Sequence, residues 1–92
     1  MFLLPISDIR FVEVAGNYVT VHSGRDYTVK ATLASIEKQL DESFYKTGRS
    51  FIVNLDKIRQ VTKKEVILTT GNVVPLSRGV YEKLIGEIIA RK

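Results

Sequence analysis

The stretch KTGRSFIVN at residues 46–54 decides how the rest of the chain is interpreted. Its second half, continued to Leu55, is a short apolar run of strand-forming residues and predicts a buried central β-strand. Its first half places two cations, a glycine and two hydroxyl groups directly before that strand. Polar groups held at the end of a core element either face a charged partner or form a solvated loop, and the remaining sequence has to distinguish the two.

The segments on the N-terminal side of this strand predict β-structure and one short helix. Alternation of apolar and polar residues predicts strands over residues 9–14, 17–22 and 27–31. A turn at Ala15-Gly16-Asn17 joins the first two as a hairpin, with Gly16 able to take a positive φ. Thr32 is a suitable helix cap, and apolar residues follow it at helical spacing as far as Leu40.

The segments on the C-terminal side predict further antiparallel strands and a terminal helix. Strands are predicted over residues 60–62, 65–70 and 73–76, and Gly71-Asn72 is the turn of a second hairpin. Pro75 cannot donate to a ladder, which places the last strand at a sheet edge. Ser77 is the predicted cap of a helix whose apolar stripe includes Leu84. The predicted class is mainly β, with antiparallel hairpins in small stacked sheets, a short internal helix and a C-terminal helix, in one domain over residues 1–92.

Charge is distributed unevenly along the 92 residues, whose net charge is +4. Residues 1–42 carry four basic and six acidic side chains, whereas residues 43–92 carry ten basic and four acidic ones. The densest basic part runs from Lys46 to Lys64. Such a concentration is typical of a surface that binds phosphates, although the solvated face of a basic protein has the same composition.

Several functional classes lack the residues they require. The chain has no cysteine, which excludes disulfides, thiolate metal sites and cysteine nucleophiles, and its single histidine is His22. No paired carboxylates, nucleophile or glycine-rich phosphate loop indicates an enzyme, and no cofactor or metal is expected. The N-terminal MFLLPISDIR lacks the basic region of a signal peptide, and no segment is long enough to span a membrane, so a soluble cytoplasmic domain is expected.

Three motifs resemble the LytTR DNA-binding domain: GNYVTVHS at 16–23, FYKTGRSFIVNLDKI at 44–58 and VPLSR at 74–78. The resemblance extends from about Asp8 to the terminal helix, with the motifs in the family's order and spacing. It implies the output domain of a bacterial two-component response regulator, a transcription factor that presents loops to paired direct repeats in promoters. Such domains usually follow a receiver domain, so the chain is expected to be either an excised domain or a short stand-alone regulator.

The resemblance also implies which residues face DNA. The predicted base-contacting residues are Asn17, Tyr18, Arg49 and Arg78. The predicted phosphate-contacting residues are Lys46, Ser50, Lys57, Lys63 and Lys64. Arginine suits base reading because its planar fork can donate to O6 and N7 of guanine together, and the Asn17 amide can pair with adenine. Asn17 could instead serve only the turn geometry, and Gly48 stands where the family most often has a histidine.

Two other functions remain open at this level. The chain could be a protein-interaction module whose terminal helix or Pro75 edge docks a receiver domain, a membrane sensor or an inhibitor. RNA binding is less favoured because the aromatic pattern of an RRM sheet does not occur. On DNA, two copies of the chain are expected to bind together as a homodimer on the paired repeats.

Overall fold

The computed structural model describes residues 5–91, which form two antiparallel β-sheets and two α-helices. Residues 1–4 lie outside the described part, and they belong to the stretch MFLLPISDIR that is not expected to be a signal peptide. The strands are β1 Phe11–Ala15, β2 Tyr18–His22, β3 Asp26–Lys30, β4 Phe44–Lys46, β5 Phe51–Asn54, β6 Ile58–Val61, β7 Glu65–Leu68 and β8 Val73–Pro75. The helices are α1 Leu33–Glu37 and α2 Val80–Ala90, and short 3-10 turns occupy Ile6–Asp8 and Leu55–Lys57.

The larger sheet has five strands in the order β3-β2-β1-β5-β4, and the smaller has three in the order β6-β7-β8. The position of β5 between β1 and β4 confirms the predicted central strand, and the edge position of β8 confirms the assignment based on Pro75. Strand β4 was not predicted. Its three residues are too few to show a period of two, although Phe44 and Tyr45 are strand-forming residues.

The larger sheet buries apolar side chains on both faces. One face carries Val12, Val19 and Ile52 and packs against α1 through Leu33 and Ile36. The opposite face carries residues including Phe11 and Val53, and the second sheet and α2 cover it with Val66, Leu68, Val74 and Leu84. Because β5 contributes Ile52 to one core and Val53 to the other, its continuous apolar run follows from burial on both sides.

The ends of both helices differ from the sequence predictions in part. Thr32 caps α1 as predicted, since its Oγ1 accepts from the Ser35 backbone N–H at 3.1 Å. The helix ends at Glu37, although Leu40 still packs against the core. The predicted cap at Ser77 is wrong, because α2 begins after Gly79, which has a φ of 82° and supplies no side-chain cap.

Candidate nucleic-acid interface

Four connections lie together at one end of the fold, because the strands that lead into them run in matching directions. They are the β1–β2 turn at residues 16–17, the β4–β5 loop at 47–50, the β6–β7 turn at 62–64 and the β8–α2 segment at 76–79. Backbone hydrogen bonds join three of them: the Ser77 N–H donates to the Thr47 carbonyl at 2.9 Å, and the Leu76 N–H donates to the Lys64 carbonyl at 2.9 Å. We call this end, together with Lys30 beside it, the loop face.

The β1–β2 turn presents Asn17 without using it for left-handed geometry. Gly16 takes the positive φ, 61°, and among the residues described no non-glycine residue has a positive φ. A positive φ at the first of two turn residues is the pattern of a type II′ hairpin. The explanation that Asn17 is needed for a left-handed backbone conformation is therefore wrong. Its side chain is exposed. Its backbone carbonyl accepts from the Ala31 N–H at 3.1 Å, which fixes the turn against the end of β3.

The β4–β5 loop carries Arg49 on a firmly anchored backbone. The Thr47 N–H donates to the Phe51 carbonyl at 3.0 Å, and the Ser50 carbonyl accepts from the Val14 N–H at 2.9 Å. Thr47 itself is fully buried beneath the loop. Arg49 is exposed, so the anchored loop presents its guanidinium to solvent.

Gly48 brings this loop into close contact with the β8–α2 segment. A Cβ atom at position 48 would lie 2.5 Å from the Ser77 side-chain oxygen, which is closer than non-bonded atoms approach. The atom it would meet is the end of the exposed Ser77 side chain, so a side chain at position 48 would require Ser77 to rotate. The segments bearing Arg49 and Arg78 therefore pack directly on each other.

Three shallow hollows follow one another across the loop face. The first, of about 390 Å³, is lined by Asn17, Lys30 and Arg49 among others. The second, of about 260 Å³, has Arg49, Ser50 and Ser77 in its lining. The third, of about 400 Å³, is lined by residues including Lys63, Lys64, Arg78 and Glu82. Shared lining residues make the three hollows one continuous strip.

The loop face is strongly positive. Its six cations are Lys30, Lys46, Arg49, Lys63, Lys64 and Arg78. The ion pairs found within residues 5–91 involve His22 with Glu13 and Asp26, and Arg91 with Asp56, so none of the six is neutralised in this way. Uncompensated cations arranged along a strip attract a phosphate backbone and release its counterions on contact.

The structure brings eight of the nine predicted contact residues to the loop face and leaves one elsewhere. Lys57 lies in the 3-10 turn beyond the far end of β5, where its carbonyl accepts from the Thr69 N–H at 2.8 Å. The length of β5 separates it from Arg49, which is about 13 Å at 3.3 Å per residue. Lys57 therefore lies at the end of the molecule opposite to the loop face.

Lys30 joins the loop face although the sequence motifs did not indicate it. It is the last residue of β3 and pairs in register with Tyr18 at the start of β2. The register follows from the Ser23-Gly24-Arg25 turn, so counting outward from that turn would have placed Lys30 beside Tyr18. The Tyr18 side chain is 54% exposed, which keeps it available to a partner as predicted.

Two other polar residues have structural explanations. Asn54 is buried, donates to the Ile9 carbonyl at 2.8 Å and accepts from the Asp56 N–H at 2.9 Å, so it caps the turn that follows β5. His22 is half-buried, and its ring stacks on Phe11. Its two ring nitrogens contact Glu13 at 2.7 Å and Asp26 at 3.0 Å. Within residues 5–91 no group of three or more His, Asp or Glu side chains is arranged to hold a metal ion.

The comparisons with known proteins agree with this geometry. The LytTr DNA-binding domain family matches residues 1–88. Sensory transduction protein LytT of Enterococcus faecalis is 36% identical over 85 residues, covering 85% of this chain and 35% of that protein. Transcriptional regulatory protein BtsR of Escherichia coli K12 is 31% identical over 96 residues, covering 97% of this chain and 39% of that protein. The chain thus spans little more than a third of the length of these relatives.

A solved LytTr DNA-binding domain from Bacillus cereus has the same fold. It superposes with a TM-score of 0.78 at 25% identity, and the match covers 94% of this chain and 84% of that one. Its likeness extends to the mainly β architecture with one internal and one C-terminal helix described above. None of the helices in the described part of the chain has the length and apolar character needed to cross a bilayer. The chain belongs to the LytTr DNA-binding domain family.

Proposed function

We propose that this chain reads specific sequences in double-stranded DNA with its loop face, as the DNA-binding domain of a bacterial transcription regulator. The observation that carries the proposal is the convergence of Asn17, Arg49 and Arg78 on one positive strip, although they are far apart in sequence. Membership of a DNA-binding family supports the same reading.

The helices are poorly suited to reading DNA, which leaves the task to the loops. Helix α1 has five residues and buries Leu33 and Ile36. Helix α2 is longer, but Leu84 is fully buried in the second core and Ile88 packs against that core. The exposed face of α2 carries Glu82 and Glu87, whose negative charges repel phosphates, and α1 is too short to span a groove, so neither helix suits a major-groove reader.

The residues of the loop face divide by chemistry. Arg49 and Arg78 carry the bidentate donors that suit guanine, and Asn17 carries an amide that suits adenine, with Tyr18 beside it. Lys46, Ser50, Lys63 and Lys64 are assigned to phosphates, which position the protein without reporting sequence. Lys30 is added to the phosphate contacts because it lines the same hollow as Asn17 and Arg49. Lys57 is left out of the interface because of its position.

Two copies are proposed to bind neighbouring direct repeats in a promoter. A strip that reads only a few base pairs gains specificity when two domains bind sites one helical turn apart, about 10.5 bp. The relatives are more than twice as long as this chain, which is consistent with a receiver domain joined to it in the whole regulator. Control of DNA binding by a receiver domain is then a property of the whole regulator and not of this chain alone.

The experiment compares two lysines at opposite ends of the molecule. With the four lysines of the loop face, Lys30, Lys46, Lys63 and Lys64, on phosphates, the slope of log affinity against log salt reaches about −3.6. Lys63→Ala is expected to make the slope shallower by about 0.9, with equal loss on all sequences. Lys57→Ala removes the same charge from the far end and is the matched control, expected to leave the slope unchanged. Equal effects from both variants would show binding by overall charge and reject the loop face as the interface.

A further inference from the structure

Strand β3 is an edge strand with an unusual degree of exposure. All five of its residues, Asp26–Lys30, are exposed, and within residues 5–91 its only neighbour in the sheet is β2. Tyr27 and Val29 pair in register with Val21 and Val19, which are buried on the core face. The two β3 side chains nevertheless remain 44% and 45% exposed. The apolar face of the sheet therefore continues outward beyond the part that α1 covers.

The backbone of β3 offers a regular set of unpaired groups on its outer side. The Ala31 N–H donates to Asn17 and the Arg25 carbonyl accepts from Ser23, so odd-numbered residues direct their backbone groups toward β2. Successive residues of a strand alternate in this direction. Asp26, Thr28 and Lys30 therefore direct their N–H and C=O groups away from the sheet. An uncovered edge of this kind is a template for another strand.

We propose that this edge pairs with the same edge of a second copy of the chain, antiparallel, with the twofold axis passing between the two Thr28 residues. In this register the outward backbone groups of Thr28 meet those of the partner's Thr28, and Asp26 lies opposite the partner's Lys30. Tyr27 lies opposite the partner's Val29 on the apolar face. Opposite charges and apolar pairs directly across from each other stabilise a sheet.

The charge pattern of β3 selects this partner and this register. A shift by two residues in either direction places Tyr27 or Val29 opposite itself and leaves the Asp26–Lys30 pairs unformed. A parallel arrangement in register brings each charge beside its equal, which destabilises a sheet. The β3 strand of a second copy therefore complements each position of this edge. Because both copies use the same surface, the contact is isologous and forms a closed dimer.

This association differs from the arrangement of two copies on paired DNA repeats. Antiparallel pairing of the β3 strands directs the two loop faces in opposite directions, so the pair differs from two copies side by side on one duplex. The pairing also uses Lys30, which lies on the loop face. Because the edge is only five residues long, the self-association is weak and depends on protein concentration.

The first test uses the absence of cysteine from the chain. Thr28→Cys introduces a single thiol on the proposed axis, where hydrogen-bonded partners have Cα atoms about 5.5 Å apart, within the range of a disulfide. Mild oxidation is expected to give a covalent dimer of this variant. Ala34→Cys, exposed on α1, is the control and is expected to remain monomeric. Equal crosslinking of the two variants would overturn the proposal.

The second test measures self-association by sedimentation. Thr28→Pro removes the outward N–H without removing a hydrogen bond to β2, and it is expected to weaken association about tenfold or more. Thr28→Val keeps that N–H and is expected to associate like the parent chain. Loss of association in both variants, or a parent chain that stays monomeric up to millimolar concentration, would overturn the proposal. Circular dichroism of each variant confirms that the comparison is between folded proteins.

Discussion

Arg49 separates base reading from charge more sharply than any other residue of the loop face. Two substitutions at this position are informative. Arg49→Ala removes both the positive charge and the planar guanidinium donors, whereas Arg49→Lys keeps the charge but loses the planar pair of donors. Arg49 is exposed and forms no ion pair within the described residues. Neither change should therefore alter the free energy of unfolding by more than about 0.5 kcal/mol. Changes in DNA binding can then be assigned to the interface.

The expected magnitude follows from the chemistry of the contact. A bidentate arginine–guanine pair is worth about 1–3 kcal/mol of discrimination, or roughly 5- to 150-fold in relative affinity. Arg49→Lys and Arg49→Ala should both lose that discrimination at one base pair, while the salt slope stays close to that of the parent because Arg49 contacts a base and not a phosphate. Fluorescence anisotropy with the preferred site and its single-base variants, at several salt concentrations, measures both quantities. Full retention of base preference by Arg49→Lys would refute the role assigned to Arg49.

Three further predictions concern the scaffold that holds the loop face. Leu84→Ala empties a fully buried site in the second core and should lower the free energy of unfolding by about 2–5 kcal/mol in urea titrations, whereas the exposed Ile89→Ala should change it by less than about 0.5. Thr47→Val removes a buried hydroxyl that has no partner within residues 5–91 and should stabilise the protein by about 1–3 kcal/mol, seen as a higher Tm; a lower Tm would show that the hydroxyl is satisfied. Gly48→Ala forces only the exposed Ser77 side chain to rotate, so its stability should stay within about 1 kcal/mol of the parent, and a larger loss would mean that the backbone cannot adjust.

The elements with clear periodicity could be predicted from the sequence. The β1–β2 hairpin follows from alternation and turn residues, and the central β5 follows from its continuous apolar run. The second hairpin is also present, but its turn is not Gly71-Asn72 as predicted: the Leu68 N–H donates to the Asn72 carbonyl at 2.9 Å, so the loop is residues 69–71. The start of α2 could not be predicted correctly, because Ser77 has the chemistry of a cap but is held by a hydrogen bond to Thr47 in a distant loop. Strand β4 was missed for a related reason, since pairing with β5 rather than local pattern creates it.

The candidate site was predictable as a set of residues but not as a surface. Motif resemblance indicated Arg49 and Arg78, while their proximity depends on the packing of Gly48 against Ser77, which is a tertiary contact. Lys57 and Lys63 are equivalent in a charge count, and only the course of β5 and β6 places them at opposite ends. Lys30 belongs to the acidic half of the sequence, so the charge analysis directed attention away from it.

The most direct test of the central claim is selection of binding sites from random duplex DNA with the purified chain, followed by salt titration of the selected site. The proposed function predicts enrichment of a short motif, repeated at a spacing of about one helical turn, with affinity that falls steeply as salt rises. Binding without enrichment of any motif would reduce the loop face to a phosphate-binding surface. Absence of binding to any duplex would contradict the claim that this chain reads DNA.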